Sequence, residues 1–74
     1  MKAAQASEIA KKLEAAEAAG TFEAMHQAQT EIGWQAYEQY KAFLRFTGLW
    51  GYQAPVGSPV RDRFNGQLAA MAAR

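Results

Sequence analysis

The side chains that could do chemistry are few and thinly spread. Glu23 and His26 stand three apart as Glu-x-x-His, the helical spacing with which carboxylate-bridged di-metal sites in four-helix bundles present two ligands from one face. A second copy of the chain would supply a second pair, and Glu14 or Glu17 from each N-terminal helix would have to complete the set. The pattern is short and recurs by chance. Glu23 is better explained as a first-turn anion at the positive end of a helix dipole, and Glu14 and Glu17 only flank the apolar stripe of their own helix. His26 is expected as a hydrogen-bonded boundary residue beside Thr30 and Tyr37. There is no cysteine to act as nucleophile, and Ser7 and Ser58 sit where a helix start or an exposed surface already explains them. The expectation is a protein that is not an enzyme and holds no metal or cofactor.

Basic and amide side chains form a second group. The segment SPVRDRFNGQ places Arg61, Arg63, Asn65 and Gln67 on a C-terminal helix. They could face a DNA groove while Lys41 and Arg45 touch phosphates, as in a helix-turn-helix arrangement. Three features weigh against this. The preceding loop is about ten residues rather than three or four, Asp62 sits between the arginines, and the net charge is only +1. That charge is unevenly placed: residues 1–40 carry three lysines and six glutamates, and residues 41–74 carry five Lys/Arg and one aspartate, giving −3 and +4. Such a dipolar chain could pair with its own copy or offer its basic half to an acidic partner, although solvated charge without a partner is the commoner case.

The densest feature is aromatic. Between Ile32 and Tyr52 lie seven of the nine aromatics, and Trp34, Tyr37, Tyr40, Phe43 and Phe46 recur every third residue. Positions three apart on an α-helix fall back by about 60°, so these five wind around the rod instead of forming a stripe. A helical wheel places Phe46, Ile32, Met25, Phe43, Ala36, Phe22, Tyr40, Leu44 and Tyr37 on one arc covering about half the circumference. That arc is expected to be buried. Trp34 lies outside it, among Glu31, Glu38, Lys41 and Arg45. Tryptophan is enriched at interface hot spots, so Trp34 either anchors a partner, packs beneath a returning loop, or lies idle. The residues expected to meet another protein are Trp34, Tyr37, Lys41, Arg45, Trp50 and Tyr52.

The elements that must position these residues are helices. Residues 3–19 are rich in alanine and glutamate, with Ala6, Ile9, Ala10, Leu13 and Ala16 as the apolar stripe and Gly20 as the stop. Thr21 can cap a second helix directly, which makes an antiparallel helical hairpin of 3–19 and 21–47 the natural reading, with Gly33 a tolerated interior glycine. Residues 48–58 form a Gly/Pro loop expected to fold back through Leu49, Trp50, Tyr52 and Val56. Ser58-Pro59 then opens a helix over 59–73 with the stripe Val60, Phe64, Leu68 and Met71. Asn65-Gly66 is the point where that helix could break.

The chain thus reads as an all-α, single small domain over 1–74. A chain of this length buries only about 60–65% of the surface its unfolded form exposes, and it has no disulfide to compensate. Dimerisation into a helical bundle is the expected completion. The N-terminal residues interleave charges and lack the apolar run of an export signal, no stretch approaches the roughly 20 apolar residues of a membrane span, and the expected site of action is the cytoplasm. The function that follows is a small adaptor or inhibitor binding another protein, with a DNA-binding regulator as the alternative and a membrane-surface role third.

Overall fold

Gly20 ends the first helix and sets the course of the chain after it. The alanine-rich segment forms α1, Ala3–Ala19, and Gly20 adopts the left-handed conformation (φ 72°, ψ 14°), its N–H donating to the Ala16 carbonyl. Glycine enters this region without the Cβ penalty of other residues. Thr21 follows at once, and its hydroxyl accepts from the Ala24 N–H at 3.1 Å. That bond caps α2, Phe22–Ile32, which returns along α1 with Ala16 and Ala28 buried on the two facing helices.

The computed structural model describes residues 1–49 and 53–74. Among these the fold is all-α, with α3 spanning Trp34–Phe46 and α4 spanning Pro59–Ala72. The expected helix over 21–47 is therefore two helices, broken at Gly33. There the backbone is extended at positive φ (φ 86°, ψ 148°), a region accessible almost only to glycine. Hydrogen bonding continues through the break: the Gly33 N–H donates to the Gln29 carbonyl and its own carbonyl accepts from the Tyr37 N–H, both at 3.0 Å. One residue thus closes α2 and opens α3. Treating Gly33 as a helix interior residue weighs only its propensity cost, about 1 kcal/mol, and not the turn that positive φ permits.

α4 begins as the sequence suggests. Ser58 accepts from the Arg61 N–H at 3.1 Å, with Pro59 in the first turn, and the helix passes through Asn65-Gly66 without a break. It lies antiparallel to α1, since Arg61 meets Glu17 while Asn65 meets Glu14. α1 packs against each of the other three helices, most extensively against α4.

The core draws Ala6, Ile9 and Ala10 from α1, Tyr40 and Leu44 from α3, and Phe64 and Leu68 from α4. Leu13, Ile32, Ala36, Phe43 and Leu49 pack on it from partly buried positions. Each fully buried large side chain contributes about 1.5–3 kcal/mol, and alanines occupy much of this core, so its yield is modest. Leu49 belongs to the cap that ends α3: with Gly48 at φ 80°, the Leu49 N–H donates to the Leu44 carbonyl at 2.8 Å and the Gly48 N–H to the Arg45 carbonyl at 3.2 Å. Trp50 and Tyr52 lie outside the described residues.

Two members of the expected buried arc are on the surface. Phe22 is 81% exposed and Phe46 92%. For Phe22 the cause is Gly33: the break resets the helical phase, so a wheel drawn from Trp34 does not carry into α2. Phe46 sits at the margin of the arc, about 120° from Trp34, in the last turn of α3. Tyr40, nearer the middle of the arc, is buried, and so is Leu44. No helix among the described residues is long and apolar enough to cross a membrane.

Candidate functional site

Trp34 is the first residue of α3, placed there by the turn at Gly33. Its side chain is 76% exposed, on the polar side of the helix as the wheel requires. Beside it runs an open groove of about 500 Å³ across the α2–α3 elbow, walled by His26 and Thr30 on one side and Trp34, Tyr37, Glu38 and Lys41 on the other. Lys41 is held in place twice, its Nζ lying 2.8 Å from Glu38 Oε1 and 5.0 Å from the centre of the Tyr37 ring. A cation over a ring and an adjacent carboxylate give this wall both signs of charge on an aromatic base.

The outer face of α2 extends the same surface. Phe22 and His26 stack in parallel, ring centres 6.1 Å apart and planes 10° from parallel, and both are exposed. His26 is thus a surface ring and not the hydrogen-bonded boundary residue expected from the sequence. Thr30 donates to the His26 backbone carbonyl at 2.9 Å and leaves the imidazole untouched. Phe22, His26, Thr30 and Trp34 follow one another at intervals of four. The Phe-x-x-x-His spacing is the signal that could have found the first two, because residues four apart on a helix are neighbours.

Of the residues expected to meet a partner, the structure gathers Trp34, Tyr37 and Lys41 around one groove. Arg45 is exposed one turn beyond Lys41 on α3, outside the groove. Trp50 and Tyr52 lie outside the described residues.

The four residues expected to face DNA do not share a surface. Arg61 is only 9% exposed. Its Nη1 donates to the Ala54 carbonyl and its Nη2 to Glu17 Oε2, each at 2.9 Å, and the guanidinium lies 6.0 Å from the centre of the Phe64 ring. Asn65, one turn on, donates from Nδ2 to the Glu14 carboxylate. Arg63 and Gln67 are exposed. The cause is a spacing match: Glu14 and Glu17 project from α1 one turn apart, and Arg61 and Asn65 answer from α4 one turn apart.

The same match takes Glu14 and Glu17 away from Glu23 and His26, the quartet weighed from the sequence. Among the described residues no group of three or more His, Cys, Asp or Glu gathers in a way that could hold a metal. Near the Arg61–Glu17 pair, burial pushes the Tyr40 phenol above its ordinary value of 10.0. The positive charge of Arg61 opposes the shift, and Tyr37 and Glu17 add to it.

No protein-family model, curated protein sequence or solved structure matches the chain.

Proposed function

We propose that the chain is a non-enzymatic protein-interaction module, a small helical adaptor or inhibitor that works as a homodimer and grips another protein through the aromatic surface of the α2–α3 elbow. The observation that supports this most strongly is Trp34. A small domain with a modest core leaves its indole in water, forgoing a burial term on the order of 2 kcal/mol, and sets it at the mouth of a groove with Tyr37 and Lys41. Trp and Tyr are among the residue types that dominate interface energetics. The DNA-binding alternative loses Arg61 and Asn65 to α1, and no geometric feature among the described residues favours it.

A photoreactive phenylalanine analogue in place of Trp34, introduced in the producing cell, tests the reading. The expected result is a covalent adduct with one defined protein. That protein, once purified, should bind the native chain and lose at least about tenfold in affinity on Trp34→Ala. Adducts with nucleic acid, or a purified protein that binds Trp34→Ala as well as the native chain, would overturn it.

A further inference from the structure

Phe46 is the most exposed large apolar side chain of the described residues, at 92%. It forms one wall of an open apolar hollow of about 490 Å³ whose other walls are Gln39, Ala42, Phe43 and Thr47 of the α3 segment together with Met1 and Met71. Projection and recess therefore lie on one face, which is what a two-fold interface requires, since the same patch must serve both sides.

We propose that a second copy of the chain covers this face, its α3 running antiparallel to the first about a two-fold axis beside Ala42, with each Phe46 seated in the hollow of the other copy. The inference rests on the homodimer half of the functional reading and shares Glu38 with the groove beside Trp34. The register follows from arithmetic on the helix. With the axis between Ala42 and Phe43, residue 46 of one copy lies opposite residue 39 of the other, so each Phe46 meets the Gln39–Ala42–Phe43 wall. Ala42 falls at the crossing, where a small side chain lets the helices approach.

Charge agrees with the same register. A two-fold axis perpendicular to both helices sets each edge of α3 against its own counterpart. Glu38 and Arg45 share an edge, about 20° apart around the helix. Placed antiparallel, Arg45 of one copy comes within about 3 Å along the axis of Glu38 of the other, giving two symmetry-related ion pairs of opposite sign. A parallel two-fold pairing would instead turn this edge away from its counterpart, so that Glu38 and Arg45 of one copy would not meet those of the other. Trp34 lies about 18 Å from Phe46 along α3 and stays outside the pairing.

The native chain has no cysteine, so Ala42→Cys places one thiol at the proposed axis, where disulfide formation needs Cα atoms about 4.4–6.8 Å apart. The expected results are a dimer by light scattering and rapid covalent dimerisation of Ala42→Cys under mild oxidation. Asp62→Cys, on the exposed side of α4, should react slowly. Phe46→Glu should weaken the dimer at least about tenfold with unchanged helix content. A native chain that is monomeric at high micromolar concentration overturns the homodimer and the interface together. A native dimer that persists in Phe46→Glu, or in which Ala42→Cys reacts no faster than Asp62→Cys, overturns this interface while leaving the homodimer standing.

Discussion

Arg61 and Glu17, 44 residues apart in sequence, meet at 2.9 Å and tie α4 to α1. The two partners are not equivalent. Glu17 is part-exposed, whereas Arg61 is nearly enclosed, also donates to the Ala54 carbonyl and lies over Phe64. Losing Glu17 forfeits one screened contact, but losing Arg61 leaves two acceptors without their donor. Arg61→Ala is expected to cost about 2–3 kcal/mol and Glu17→Gln about 1 kcal/mol. For a chain this size each kcal/mol lowers Tm by about 4–8 °C. Thermal melts followed by circular dichroism will show the asymmetry, and equal losses in the two variants would refute it.

Two glycines should respond to alanine with opposite signs. At Gly33 an added Cβ would meet no heavy atom within 4 Å, but φ is +86°. The cost is conformational rather than steric, about 1–3 kcal/mol. Gly66 also opens onto space, and it sits inside α4 at an ordinary helical φ. Gly66→Ala should stabilise the chain by about 0.5–1 kcal/mol. Urea titrations of the two variants check the pair, and a Gly33→Ala variant as stable as the native chain would mean that α2 and α3 can join into one rod.

The contrast between those glycines also marks what the sequence shows and what it hides. Gly20, followed directly by a cap-forming threonine, has few conformational options, so the end of α1 and the return of the chain are legible. The stripe on α1 and the pair Phe64 and Leu68 on α4 are legible for a similar reason: each belongs to one unbroken helical period. Gly33 is ambiguous, because glycine inside a helix and glycine at an elbow are the same letter. That ambiguity spreads to every residue whose facing depends on the helical phase across it, Phe22 first. The burial of Arg61 is hidden from the sequence for a different reason. A buried arginine is legible only if its carboxylate is known to lie opposite, and the pairing of Glu14 and Glu17 with Asn65 and Arg61 depends on the packing of α4 against α1, which local sequence does not specify. Trp34, at the start of α3, faced the solvent in either geometry.

Tyr40 gives the fold a defined sensitivity to alkali. Its phenol is raised above 10.0 chiefly by burial, so the folded chain holds that proton more tightly than the unfolded chain. The resulting stability is complete below the unfolded value of 10.0 and is lost as pH rises through the raised folded value. The difference between the native chain and Tyr40→Phe isolates this contribution. The stability gap between them should be constant from pH 7 to pH 9 and shift against the native chain above about pH 10. A gap that stays constant into the alkaline range would show that ionising Tyr40 costs the fold nothing.

Trp34 and Leu68 provide the sharpest separation of surface from core. Leu68 is fully enclosed on α4, and Leu68→Ala should cost about 2–5 kcal/mol, the transfer term plus the cavity left behind. Trp34 loses a larger side chain on truncation yet stands mostly in water, so Trp34→Ala should change stability by no more than about 0.5 kcal/mol. Size alone would predict the reverse order. Urea unfolding of both variants decides between them. If Trp34→Ala proves as destabilising as Leu68→Ala, the indole packs in solution against part of its own chain, and the groove at the elbow is not open to a partner. If it proves neutral, the indole contributes nothing to folding, and the groove at the elbow stays open to a partner.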